Sequence, residues 1–249
     1  MKTIQAKQYV ADSLQVPLEK AVALIIAGKV LINEQKIDKP GTSVPINATI
    51  RVLGEDCRYV GRGGLKLEGA LKQFAVDPTG LPCLDIGAST GGFTDCLLQH
   101  GAHHVVAVDV GYNQIDWKLR NDPRVTVIEK KNFRYMTPEE YQKTTSVPIS
   151  PAIVVIDVSF ISLDKILPAV FPIAAAGAKI IALVKPQFEA KREDVPPGGI
   201  IADPALRQTI LEKTKSTATA LGFTVLSDML SPITGTDGNV EFFVYLQKP

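Results

Sequence analysis

From about residue 65 onward, short, largely apolar runs alternate with stretches of helical periodicity. The apolar runs lie near 81–86, 104–109, 125–128, 153–157 and 179–184, and a helical pattern covers 65–75. Uninterrupted apolar runs bounded by turn residues are the signature of strands buried on both faces. Their alternation with helices predicts an α/β fold with a parallel sheet covered on both sides. The rhythm breaks at the end, where strand-like runs at 223–230 and 241–246 are joined only by the turn-rich stretch 232–239. Two strands with no helix between them predict an antiparallel final pair.

The first 54 residues follow a different pattern. Residues 17–27 carry apolar positions at a helical period and stop at Gly28, after which Lys29-Val30-Leu31-Ile32-Asn33 alternates as a strand does. A Lys39-Pro40-Gly41 turn and a last strand at Ile50-Arg51-Val52 complete a small α+β domain over 1–54. Residues 55–64, with Arg58, Gly61, Arg62, Gly63 and Gly64, read as a mobile basic hinge or a plain linker, leaving 65–249 as the larger domain.

Composition narrows the classes. At 45% hydrophobic, 249 residues can bury a sizeable core with room for a small extra module. The longest apolar stretch near the start, 21–27, is too short to span a bilayer, and no basic leader with a cleavage site precedes it, so a cytoplasmic protein without membrane contact is expected. The three cysteines (57, 83, 96) and three histidines (100, 103, 104) have no ligand spacing, so no metal site and no disulfide framework are expected. A net charge of +1 means that any nucleic-acid contact must come from local clusters.

The candidate chemistry begins at Asp85-Ile86-Gly87-Ala88-Ser89-Thr90-Gly91-Gly92-Phe93, a turn between an apolar run and a helical pattern. Its glycines suit close backbone approach, and the amides opening the next helix can receive polar groups. The spacing is neither the dinucleotide fingerprint nor a phosphate-cradling loop. Asp109 ends the next apolar run 24 residues after Asp85, where a doubly wound fold places a carboxylate for ribose hydroxyls. In such a sheet the residues closing each strand face the ligand. Asp157 and Lys185 close two of the runs, Lys66 opens the helix after the glycine-rich stretch, and Glu241 opens the last strand.

These residues carry a family resemblance. The D-x-G-x-x-x-G-G-F turn resembles the first motif of S-adenosylmethionine-dependent methyltransferases, and Lys66, Asp157, Lys185 and Glu241 fall like the Lys-Asp-Lys-Glu tetrad of FtsJ-like RNA 2′-O-methyltransferases. The segments 59–67, 109–114, 157–163, 185–189, 198–200 and 238–242 are similar to the TlyA family, often labelled haemolysin. The resemblance implies a Rossmann-like seven-stranded sheet and an enzyme that methylates the 2′-hydroxyl of cytidine in ribosomal RNA, with S-adenosylmethionine as cofactor and ribosomal RNA or ribosomal subunits as partner. It also implies catalytic Lys66, Asp157, Lys185 and Glu241, with Asp157 and Glu241 orienting Lys185. The cofactor would meet Asp85 and Gly87 at its methionine end, the loop of Ser89, Gly91, Gly92 and Phe93, Asp109 at the ribose and Asn132 at the adenine.

The leading 54 residues resemble the RNA-binding module of ribosomal small-subunit protein four, which implies phosphate contacts for Lys20, Lys29 and Lys36, with Arg58 and Arg62 beyond. The module departs from that family in having Leu18 and Glu19 where a Ser-Arg pair is usual, so a degenerate packing module stays open beside it. Three other readings of the whole chain also stay open: a cofactor- or ribosome-binding protein without turnover, a membrane-lytic haemolysin, and a small-molecule methyltransferase.

Overall fold

The computed structural model describes every residue except 1–2, 15, 34, 47, 53–57, 146–149 and 236–237, and the chain divides into two units, Met1–Cys57 and Arg58–Pro249.

The first unit runs β1 (Thr3–Gln5), α1 (Ala6–Leu14), α2 (Leu18–Ile26), β2 (Val30–Ile32), β3 (Gln35–Ile37), β4 (Ser43–Pro45) and β5 (Ile50–Val52). Strand β2 is central, antiparallel to both β3 and β5, and β1 pairs antiparallel with β4. Ala21 and Ile25, one turn apart on α2, join Ala6 and Val10 of α1 and Val30, Ile32 and Val44 in a small core. Helix α2, β2 and β5 lie where the pattern predicts. Helix α1 and the β1–β4 pair were not predicted, because the buried stripe of α1 is only Ala6, Val10 and Ala11 among polar neighbours.

The second unit runs α3 (Gly63–Gln73), β6 (Pro82–Ile86), α4 (Gly92–Gln99), β7 (His104–Val108), α5 (Trp117–Arg120), β8 (Val125–Ile128), α6 (Pro138–Thr144), β9 (Ile153–Ile156), α7 (Leu167–Ile173), β10 (Lys179–Val184), α8 (Pro186–Glu189), α9 (Pro204–Ala220), β11 (Thr224–Leu230) and β12 (Phe242–Gln247). Its seven-stranded sheet has the order β11-β12-β10-β9-β6-β7-β8. Strands β6 to β10 are mutually parallel, and β12 is antiparallel to both neighbours, β10 and β11. The period of two sends Leu84, Ile86, Val106, Val108, Val154 and Ile156 to one face, under Leu167 and Val170 of α7 and Leu211 and Ala218 of α9. The other face packs Phe243 on Phe93 of α4, with ring centroids 6.2 Å apart, and Tyr245 on Phe74 at 4.9 Å. Burial on both faces is why these strands read as continuous apolar runs.

The sequence order reverses between β6 and β9: the chain winds from β6 to β8 in one direction, then restarts on the other side of β6. A crevice opens at such a switch point, at the carboxyl ends of the strands.

The expected linker at 55–64 is corrected from Arg58 onward; residues 55–57 lie outside the described ones. Arg58 to Gly64 belongs to the second unit, with Tyr59 buried and the Val60 amide donating to Asp95 Oδ2 at 2.8 Å. Gly63 and Gly64 are the first turn of α3 rather than a hinge. Glycine is required at 64 because a Cβ there would meet the Tyr59 ring at 2.3 Å.

Candidate active site

Two clefts open at the switch point and share a wall of Gly87, Ser89, Asp157, Ser159 and Phe160. One, of about 420 Å³, is also lined by Lys66, Phe93, Lys185, Phe188 and Glu241; the other, of about 540 Å³, by Asp109, Gly111, Gln114, Asn132, Phe133 and Ile161.

The backbone dictates the loop that separates them. Gly87 leaves β6 with φ +87°, and a Cβ there would lie 2.3 Å from the carbonyl oxygen of Asp157. The Asp157 amide in turn donates to the Ile86 carbonyl at 2.9 Å, so the ends of β6 and β9 are locked together. Gly91, at φ +98°, opens α4, and a Cβ on it would strike Leu119 at 2.2 Å. At Gly92 a Cβ would come within 3.0 Å of the Gly64 amide nitrogen. These glycines are therefore required by the approach of the chain to itself, besides any close approach of a ligand that the sequence suggested. Gly91 lines neither cleft, whereas Gly87, Ser89, Gly92 and Phe93 do.

Asp85 also departs from expectation. Its carboxyl is wholly buried beneath the loop and lines neither cleft; Thr94 Oγ1 donates to Oδ2 at 2.6 Å, and Oδ1 has no hydrogen-bond partner. Burial, reinforced by the nearby Asp157 and Asp109 carboxylates, pushes its pKa up to about 7. Asp85 supports the loop from below, through Thr94.

Asp109 sits at the rim of the larger cleft. The Ser89 amide donates to its Oδ2 at 2.7 Å and the Gly111 amide to its Oδ1 at 2.6 Å. Two backbone donors fix the carboxylate while leaving each oxygen a further lone pair, the arrangement that ribose hydroxyls need. Apolar Val108, Val110, Phe133, Ile161 and Ile166 line the same cleft, and Asn132, exposed at its edge, accepts from the Arg134 amide at 3.1 Å. A polar rim over an apolar slot fits an adenosyl group.

The four charged residues come together in the smaller cleft as two ion pairs. Lys66, in the first turns of α3, donates to Glu241 Oε2 at 2.5 Å, and both side chains are buried. Lys185, just past β10, lies 2.6 Å from Asp157 Oδ1 and donates to Ser159 Oγ at 2.9 Å. Glu241 is thus the partner of Lys66, a correction to the expectation that it orients Lys185. Each cation has its own carboxylate, so neither charge is buried alone.

Several cleft residues went unassigned in the sequence, among them Ser159, Phe160, Phe188 and Gln187. Phe160 is 91% exposed and holds φ +62°, costly for an aromatic residue, while its ring lies 4.9 Å from that of Phe188. An aromatic residue in the loop just past the strand-ending Asp157 is the signal that could have singled it out.

The expected basic contacts are scattered. Lys20, Lys29 and Lys36 are exposed on the first unit. Arg58 forms an ion pair with Glu68 and lies over the Tyr59 ring, and Arg62 lines the smaller cleft while donating to the Thr234 carbonyl at 2.7 Å. Among the described residues, no group of His, Cys, Asp and Glu could hold a metal, and no helix is long and apolar enough to cross a membrane.

Comparison with known proteins agrees with the site. The model of the FtsJ-like methyltransferase family matches residues 59–248. The chain is 49% identical over 231 residues to a Bacillus subtilis (strain 168) protein provisionally named rRNA methyltransferase YqxC, covering 93% of this chain and 80% of the relative. It is 46% identical over 230 residues to the 16S/23S rRNA (cytidine-2'-O)-methyltransferase TlyA of Mycobacterium tuberculosis (strain ATCC 25618 / H37Rv), covering 92% of this chain and 84% of the relative. A solved structure from Streptococcus thermophilus, with a provisional hemolysin name, superposes with a TM-score of 0.76 at 43% identity, covering 100% of this chain and 89% of that one. With a seven-stranded methyltransferase sheet, a carboxylate held by two backbone amides and two lysine–carboxylate pairs at its switch point, the chain belongs to the FtsJ-like methyltransferase family and is an enzyme with S-adenosylmethionine as its cofactor.

Proposed function

We propose that this protein transfers a methyl group from S-adenosylmethionine to the 2′-hydroxyl of a cytidine ribose in ribosomal RNA, acting on ribosomal RNA or subunits in the cytoplasm. The observation that carries the reading is Lys185, whose ammonium is held by Asp157 and Ser159 at the wall the two clefts share. Its ammonium donates one N–H to Ser159 and lies against the Asp157 carboxylate, which leaves an N–H that can donate to an oxygen in the smaller cleft.

Bound S-adenosylmethionine supplies an electrophilic methyl group. The chain's task is then to align a hydroxyl and ease the loss of its proton. Lys185 stabilises negative charge on the 2′-oxygen as the proton leaves, and Asp157 fixes the ammonium in place. Asp109 holds the ribose of the cofactor and Asn132 its adenine edge. Lys66 and Glu241 shape the opposite wall. Phe160 and Phe188 offer ring faces at the mouth of the cleft, which suits stacking of a splayed base.

Residues 1–54, within the first unit, are read as an RNA-binding module resembling that of ribosomal small-subunit protein four, with exposed Lys20, Lys29 and Lys36 as phosphate contacts. Arg62, in the cleft wall, is a further phosphate contact, while the pairing of Arg58 with Glu68 makes it a weaker one. The deciding experiment incubates the protein with methyl-labelled S-adenosylmethionine and unmodified ribosomal subunits, then maps ribose methylation. Label on a cytidine 2′-oxygen that disappears with Lys185→Ala supports the reading. Cofactor binding without transfer to either subunit would favour a binding protein without turnover.

A further inference from the structure

The loops that follow β9 and β10 carry Asp157, Ser159 and Phe160 on one side and Lys185 and Phe188 on the other. They meet at three levels. At the base Lys185 reaches Asp157 at 2.6 Å and Ser159 at 2.9 Å, and in the middle the rings of Phe160 and Phe188 lie 4.9 Å apart. At the far end the half-buried carboxylate of Glu189 accepts the Ser162 hydroxyl at 2.5 Å on Oε2 and the Leu163 amide at 2.8 Å on Oε1.

We propose that Glu189 is a positioning residue for methyl transfer: it clamps the loop carrying Asp157 and Phe160 to the loop carrying Lys185, and so sets the wall shared by the two clefts. The inference rests on the proposed reading of that wall. Helix α8 makes the clamp stiff, because Pro186 starts it, the Phe188 amide returns to the Lys185 carbonyl at 2.8 Å, and side chains three and four positions apart share a face. The clamp also explains how the loop sustains Phe160 at φ +62°: the bond from the Leu163 amide fixes the backbone three residues later, and the Ser162 hydroxyl adds a side-chain tie to the same carboxylate. Burial raises the Glu189 carboxyl above its usual range, opposed by the same two donors, as expected of an acid held for its acceptors rather than for exposure.

The test titrates S-adenosylmethionine calorimetrically into full-length parent protein, Glu189→Ala and Glu189→Gln, with kcat and KM for transfer to unmodified ribosomal subunits and melting temperature measured on the same preparations. Glu189→Ala is expected to weaken cofactor binding about threefold or more and to lower kcat about tenfold or more, with KM moved less, since displacements near 1 Å at a reacting centre have effects of this size. Glutamine still accepts the Leu163 amide and exchanges a hydrogen bond with Ser162, so Glu189→Gln should stay within about twofold of the parent in both. An alanine variant within twofold of the parent in both readouts, or a glutamine variant as damaged as the alanine one, overturns the proposal. If Glu189→Ala does not fold, Ser162→Ala removes the hydroxyl bond alone: weakened cofactor binding upholds the clamp and unchanged binding overturns it. Failure of the parent protein to methylate RNA would count against the proposed function, while the cofactor titration, which needs no RNA, still decides the clamp.

Discussion

The two lysine–carboxylate pairs of the cleft have the same charges and close to the same length, yet their settings differ. Lys66 and Glu241 have side chains 7% and 3% exposed, and Gly235 passes so close that a Cβ there would lie 2.7 Å from Glu241 Oε1. Lys185 and Asp157 are 11% and 20% exposed, and Lys185 also donates to Ser159. The first pair is sealed and fixes a wall; the second is open on the side where substrate would stand. A buried pair costs most when only one partner is removed, whereas an open, oriented cation matters most when charge develops beside it.

That contrast can be broken by mutation. The largest effect on turnover is expected from Lys185→Ala, a loss of about 10³-fold or more in kcat with cofactor affinity nearly unchanged, on the scale of removing an oriented charge stabiliser. Methyl-transfer assays with parallel cofactor titration check it, and retained turnover would end the proposed role. Glu241→Ala should show the reverse emphasis: by stranding the buried Lys66 charge it should cost about 3–5 kcal/mol of stability. Denaturant unfolding reads this directly, and an unchanged midpoint would mean that the two pairs are not different in kind.

Smaller effects sharpen the comparison. Phe160→Ala should weaken RNA engagement by about 1–3 kcal/mol, the usual value of one base–aromatic stack, without reducing stability. A KM unaffected by the change would remove Phe160 from substrate contact. Asp85 is the acid without a cation: its folded pKa of about 7 lies above the unfolded value, so the folded state holds a proton that the unfolded chain has lost between about pH 4 and pH 7. Its contribution therefore favours folding at the acid end and is lost as pH rises to 7, with a slope of up to about 1.4 kcal/mol per pH unit. Asp85→Asn should flatten that slope in unfolding measured across this window. The smallest effect is expected from charge reversal at Lys20, Lys29 and Lys36, which should weaken RNA binding and flatten its salt dependence while leaving the chemical step unchanged.

Much of the second unit was legible before its structure. Strands buried on both faces are apolar along most of their length, so β6, β7, β9 and β10 stood out, and a polar residue ending such a run, as Asp157 and Lys185 do, must face the crevice or pay for its charge. Helix α1 was missed because a helix that packs in a small unit through alanine and valine leaves little hydrophobic contrast.

By itself the sequence determined the strands of the second unit, the antiparallel ending, the glycine turn with Asp109 beyond it, and the four charged residues of the cleft. Only the tertiary structure decided how those charges pair, that Asp85 lies beneath the loop instead of in the cleft, that Arg58 to Gly64 packs as part of the second unit, and that Phe160 stands exposed at the mouth. The physical reason is separation along the chain: hydrophobic periodicity is a local property, while the partner of Lys66 lies 175 residues away and is set by which strand ends the sheet order brings together.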